Sequence, residues 1–504
     1  MKKALCLLVA ALILCGCAAC GGNSGDNSVL RLGATDDWTG QGLNLVFDHL
    51  TWREDRNGAS DWVVSTSHND DFTEWTLKVT DGIKFTDGTP VDAEVVKYSL
   101  ESQYPTNTWG WINVLDSIEV TDPMTVTMKL KDTYTNIPND LSYVYVVKPG
   151  SVSAEGVITE YIGSGCFILE DFQSGVGATF KLNKDYWNKD KKPSIETVEW
   201  KVYADETARV MALENKEVDA LGVSEHANAL SYATIKELSG VDGIHIDTKP
   251  EGNPNMYMYN YTNGPMTDFA LRKAVTYAIN RQKLADSVCY GYGFAMETYM
   301  APDQLYAARN GESFGYDPEL SKQTLAEAGY VDSDGDGFLE KDGEKITLRI
   351  LTLSNETYRT VAVLVQSDLK AIGIDSTIEA LEASGYFEKS PVGEFDICFT
   401  HPWTSAVAYF SWRGTYSDYD TMGTGWGFDP AFKGYLDEIL TSTDQDEIWS
   451  IYDKIWKASY EFIPATPLYS GSAVYIYTDD VSGFIWTKGT QNLIDLSEVV
   501  IKRK

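Results

Sequence analysis

The chain has 504 residues, 43% of them hydrophobic, which is enough for two cores and too much for one. Its formal net charge of −33 argues against nucleic acid, whose phosphates need Lys and Arg, and against a peripheral hold on anionic lipid. A surface of this kind repels its own copies, so a monomer is expected.

The N-terminus opens Met1-Lys2-Lys3, and Ala4 to Leu14 is an apolar run of signal-peptide length, too short to span a bilayer. It ends in Leu14-Cys15-Gly16-Cys17-Ala18-Ala19-Cys20-Gly21-Gly22. That string resembles a bacterial lipobox, Leu-x-Gly/Ala-Cys, whose cysteine becomes the lipid-modified first residue. Cys17 fits the resemblance best, with Leu14 three before it and Gly16 just before it; Cys20 is the alternative. A plain secretory signal is the other reading. The lipobox implies a signal peptide over 1–16, a two-chain lipid anchor and a small-residue tether over 17–28. Four of the seven cysteines lie here; Cys166, Cys289 and Cys398 are too scattered for a disulfide framework or a zinc site. They are expected to be buried small hydrophobes. No later segment is long and apolar enough to cross a membrane.

Val29 to Ala34 alternates as a strand, and Thr35 to Leu43 is a polar loop holding Asp36, Asp37 and Trp38. Trp75, Leu77 and Val79 alternate with Thr76 and Lys78, a half-buried strand. Asp81-Gly82 and Asp87-Gly88 are turn dipeptides, and Asp92 is placed to cap a helix that runs to Leu100. Ile118 to Leu130 reads as a hairpin turning at Asp122-Pro123, and Tyr143 to Val147 as a short buried strand. Asp205 caps a helix with Ala208, Met211, Ala212 and Leu213 on one face. Tyr257 to Tyr261 is a strand, Asp268 caps a helix with Leu271, Val275, Ala278 and Ile279 on one face, and Arg281 starts another. Asp317-Pro318 opens a helix that Gly329 ends. Ile346–Leu353, the helix through Leu369 and Ile374–Ile378 form a βαβ unit, hence a parallel sheet. Phe395 to Phe399 is a strand, Ile448 to Ser459 an amphipathic helix broken by Pro464 and Pro467, and Leu468 to Tyr477 a final strand.

The stretch from Trp75 to Leu100, with Gly82-Ile83-Lys84-Phe85 and Asp87-Gly88-Thr89-Pro90-Val91-Asp92-Ala93-Glu94-Val95-Val96, resembles the signature of extracellular solute-binding proteins of ABC importers, in the peptide/nickel-binding family. Gly163-Ser164-Gly165-Cys166-Phe167 is similar to that family's Gly-Thr-Gly-Pro-Phe turn, departing at Ser164 and Cys166. Asn183–Trp187, Asp205–Asp219 and Asn260–Gly291 also match. The resemblance implies an α/β, two-lobed, periplasmic-binding-protein-like fold with a discontinuous first lobe. That lobe would take 29–259 and 468–504, with an extra subdomain at about 60–180, and the second lobe 260–467. It further implies a non-enzymatic, cofactor-free receptor on the outer face of the cell membrane. The receptor would capture a small solute and dock on an ABC permease. An oligopeptide is the leading ligand, a nickel or metallophore chelate the second, and an exported acidic hydrolase the rival of another class.

Chemical motifs are otherwise absent: no HExxH, Gly-x-Ser-x-Gly, Walker loop or Rossmann glycine set occurs, and the five histidines are scattered. Asp332-Ser333-Asp334-Gly335-Asp336-Gly337 begins like a calcium loop, but Gly343 stands where the EF-hand spacing needs a bidentate acid. It is read as an acidic turn, and no metal site is assigned. The positive signal is aromatic, 14 Trp and 30 Tyr, residues that suit both a core and a wet cleft. In the resembling family the strand ending at Phe399 delivers a ligand loop. Here that loop keeps Trp403, with Tyr409, Trp412 and the cation Arg413 following, but lacks the acid that holds a peptide's α-ammonium. Arg413 in a dry cleft would grip a carboxylate bidentately. Trp38, Trp109, Trp111, Tyr143 and Tyr145 are the wall residues that the resemblance implies from the first lobe.

Overall fold

The computed structural model describes residues 26–40, 42–55, 58–103, 110–221, 230–250, 254–301, 307–309, 311–390, 392–400, 434–435, 438–439, 441–442, 444–485 and 494–503. Alternation builds the first sheet. In Glu74–Val79 the side chains of Trp75, Leu77 and Val79 are buried and those between them are not. This strand lies between Val64–His68 and Thr125–Leu130, and Leu115–Asp122 completes an antiparallel sheet of four. The hairpin turns where expected, with Asp122 Oδ1 accepting from the Met124 N–H at 2.8 Å. Gly82 and Gly88 hold the positive φ that their turns demand. The helix Ala93–Ser102 starts where Asp92 accepts from the Val95 N–H at 3.1 Å, and it lays Val95, Val96 and Leu100 against this sheet.

The main sheet is larger and mixed. Val29–Ala34 pairs in parallel with Thr197–Val202 and Ala220–Leu221. At the other end, Thr347–Leu353 and Asp375–Leu381 pair in parallel across the helix Glu356–Ala371, the expected βαβ unit. One strand, Ala465–Thr478, joins the two ends. Its first half pairs with Asn255–Tyr259 and Gly293–Ala295, its second with Ile244–Pro250 and Ala220–Leu221. The change of partners falls between Gly471 and Ser472.

The cores divide in the same way. One runs from Met256 to Tyr469. The others fill the four-stranded sheet, the sheet around Leu30 and Trp200, and a small cluster of Leu213, Leu221, Ile235, Leu238 and Val474. Two buried arginines brace the first of these. Arg272 donates to the carbonyls of Met266, Thr267, Phe462 and Ile463. Arg281 donates to those of Pro467, Thr276 and Ile279 and to the Thr466 hydroxyl.

Two sequence expectations shift. Tyr143–Val147 is not a strand but leaves a turn at Tyr143 and makes a single bridge, Tyr145 to His49. The helix Glu206–Glu214 buries Arg209, Ala212 and Leu213, spaced three and four apart, while Met211 faces solvent at 55% exposure.

Candidate functional site

The expected wall residues part company. Trp38 is fully buried, edge-to-face with Tyr161, Phe172 and Phe180 at 4.9, 6.0 and 5.2 Å between ring centroids. Trp111 is buried in the core of the four-stranded sheet. Both stand in cores rather than on an open wall in this structure, where all faces of a large ring are covered. Tyr143 is exposed and Tyr145 half-buried. Tyr145 packs edge-to-face on His49 at 4.4 Å, and Gln103 grips its backbone, donating to its carbonyl and accepting its N–H. Burial pushes the Tyr145 phenol up to about 12, so it acts as a donor or an apolar face, not as a base. Trp109, Trp403, Tyr409, Trp412, Arg413 and the lipidation candidates Cys17 and Cys20 lie outside the described residues.

The strand that leads into the Trp403 loop is described to its end. Ile397–Thr400 is held between Thr347–Leu353 and Asn255–Tyr259. Phe399 lies between the rings of Tyr257 and Tyr358 at 5.8 and 4.1 Å. The Tyr386 hydroxyl meets Cys398 Sγ at 3.1 Å and donates to the Phe399 carbonyl. Burial pushes the Cys398 thiol up to about 12 and the Cys166 thiol higher still, so neither is a poised nucleophile.

A buried polar node escaped the sequence reading. The Asp48 carboxylate accepts from Trp62 Nε1, Tyr186 Oη and Trp187 Nε1 at 3.0, 3.0 and 2.9 Å. Its pKa is nevertheless raised, because burial outweighs these donors. Beside it, both ring nitrogens of His49 are buried without a hydrogen-bond partner. Burial pushes the His49 pKa down to about 4, with only the Ser142 backbone favouring the charged ring. The aromatic motif Asp185-Tyr186-Trp187 was visible in the sequence; its carboxylate partner, 138 residues away from Tyr186, was not.

Among the described residues, one group offers metal-ligand spacing: carboxylate oxygens of Asp332, Asp334 and Glu340 lie within 4.8 Å of one another. The acid that folds in is thus Glu340, not one at position 343, where Gly343 takes a turn with φ +82°. Glu340 Oε2 accepts from the Ser333 N–H and hydroxyl at 2.7 and 2.6 Å, and Asp332 accepts from the Gly335 and Gly337 N–H groups. These bonds close the loop as an acidic turn.

Comparison with known proteins agrees with this architecture. Residues 58–446 match the profile of the middle region of the bacterial extracellular solute-binding proteins, family 5. The nickel-binding periplasmic protein of Escherichia coli (strain K12) is 24% identical over 428 residues, 82% of this chain and 81% of that protein. The oligopeptide-binding protein AppA of Bacillus subtilis (strain 168) is 24% identical over 473 residues, 90% of this chain and 85% of that protein. The solved structure of NikA from Brucella suis in complex with Fe(III)-EDTA superposes with a TM-score of 0.85 at 23% identity, over 94% of this chain and all of that one. The fold is therefore the two-lobed α/β arrangement of such binding proteins, and the chain belongs to the bacterial extracellular solute-binding proteins of family 5.

Proposed function

We propose that the chain is the lipid-anchored capture component of an ABC importer, closing two lobes over a short peptide and presenting it to a membrane permease. One observation carries this reading: two sets of hydrophobic cores share a single sheet, and one strand changes partners between them at Gly471–Ser472. A second passage leads from Ile244–Pro250 to Asn255–Tyr259. The change of partners supports a division of the chain near the expected boundaries at 259 and 468, with the joint taken at the Gly471–Ser472 step and at the passage after Pro250. A ligand that touches both lobes is fully contacted only when they are closed, so binding shifts the population toward closure. The work is binding, not turnover. The thiols of Cys398, which is buried, and Cys166, which is half-buried rather than the fully buried hydrophobe expected, are both pushed up by desolvation and accord with that. Lipid on Cys17, or on Cys20, would hold the receptor at the outer face of the membrane by two acyl chains.

A metal chelate is the second reading. The nickel-binding relative favours it, as does the loop after Trp403, which lacks an acid for a peptide's α-ammonium. Native mass spectrometry of the chain from Gly21 onward, purified without metal-affinity resin, separates the two. A heterogeneous mass excess that resolves into short peptides on denaturation is the expected result. A single discrete adduct containing nickel overturns the peptide reading in favour of a chelate. Turnover of a glycoside by the pure protein overturns the receptor reading altogether.

A further inference from the structure

The side chain of Tyr232 bonds the backbone at the joint between the lobes. Ser472 faces Pro250 in register, and Pro250 has no N–H to donate. On the other flank the pairing with Gly293–Ala295 stops at Gly471. The Tyr232 hydroxyl serves the exposed unit twice. It donates to the Ser472 carbonyl at 2.9 Å and accepts the Ser472 N–H at 2.8 Å. Tyr232 opens the helix Tyr232–Leu238, whose N-cap Ser231 is itself tied to Glu206 at 2.9 Å, so the ring stands on a fixed base.

The ring reaches across the joint. It lies nearly parallel to Tyr292, with planes at 11° and centroids 6.3 Å apart. Tyr292 sits between the helix Arg281–Cys289 and the strand Gly293–Ala295, on the far side of the change of partners. Among the described residues, Tyr232 alone packs against both the Met256–Tyr469 core and the small cluster around Leu213 and Val474. Gly471 leaves room for this contact, since a Cβ there would collide with the Tyr232 hydroxyl.

We propose that Tyr232 is the positioning residue of the hinge. Its hydroxyl fixes the Gly471–Ser472 joint, its ring couples that joint to Tyr292, and together they set the resting angle between the lobes. The proposal rests on the two-lobe receptor reading above. Phenylalanine keeps the stack and loses both hydrogen bonds, so Tyr232→Phe frees the angle without emptying the core. Gly471→Ala displaces the hydroxyl from the other side.

The test is a distance between spin labels on Glu170→Cys and Thr377→Cys, on the two end strands of the sheet, in a Cys166→Ala background. Both sites are exposed, and Cys289 and Cys398 are buried. Nine strand spacings put the labels about 40 Å apart, within range of the method. Tyr232→Phe and Gly471→Ala are expected to widen the distribution and displace its mean, with only a small fall in Tm. A distribution that superposes on the parent while Tm falls would mean a packing role only, and overturns the proposal. Two glycines inserted at 252 provide the control. If that insertion moves the distance and the two substitutions do not, the lobes move and Tyr232 does not govern them. If none of the three moves it, the two-lobe reading fails as well.

Discussion

His49 is a buried imidazole that stays neutral where most histidines titrate. Its folded pKa of about 4 lies below the unfolded value, so between the two the unfolded chain binds a proton that the folded chain refuses. Stability therefore falls as pH drops from about 6.5 to about 4, by up to about 3 kcal/mol, and the contribution is fully present above that window. Asp48, raised by burial, works in the opposite sense at the acid end, and Tyr145 carries no charge in this range. His49→Leu isolates the effect: urea midpoints measured from pH 4 to 7 should lose this slope and keep that of Asp48. A variant with the parent's slope would place the titration elsewhere. What the sequence cannot say about residues is where a ring packs: an aromatic with a polar tip, such as Trp38 or Trp111, suits a cleft as well as a core, and the surrounding side chains set its burial. Asp48 looked like any of the 74 acids, because its three donors arrive from 14 to 139 residues away.

Elements were legible where their cause is local. Asp92, Asp205, Asp268 and Asp317 all cap as their positions demand, each accepting from an N–H two or three residues on. The βαβ unit followed from the order of its patterns. What failed was pairing: Tyr143–Val147 has a strand's composition but only one bridging partner, and nothing in Ala465–Thr478 announces four partner strands up to some 250 residues away. Register of that kind is a tertiary property. Arg281 is the fastening of that strand's first half. Burial lowers its pKa to about 10, yet it keeps its charge at neutral pH and spends it on carbonyls of three segments, at Thr276 and Ile279, Gly315 and Pro467. Arg281→Met should cost about 3–5 kcal/mol, since it leaves buried acceptors unpaired. Hydrogen exchange should speed up first over 465–468, where Thr466 and Pro467 lose their anchor. Uniform acceleration across the chain would argue that Arg281 contributes only to global stability.

For the whole molecule, a net charge of −33 says little about how one chain's distant segments are fastened together. Among the described residues, one buried acid ties three of these segments together. Asp219 precedes the short strand Ala220–Leu221 and is 1% exposed. Arg31, in Val29–Ala34, reaches it through two guanidinium bonds at 2.7 and 3.1 Å and a backbone N–H at 2.7 Å. Arg503 reaches it at 2.6 Å and donates to the Val29 carbonyl at 2.7 Å. Residues at 29–31, 219 and 503 are thereby fastened to one point at the root of the first lobe, beside the strand that also enters the second. Removing the acid strands two guanidinium groups with little water to replace it, so Asp219→Ala should cost about 3–5 kcal/mol in urea unfolding. Arg503→Ala leaves the Arg31 pair intact and should cost less, about 1.5–3 kcal/mol. Because the carboxylate is dry, neither loss should shrink much in high salt, unlike that of the exposed pair Lys129–Glu119. A loss from Asp219→Ala that vanishes in molar salt would mean the triad is screened by water and the termini are held by their strands alone.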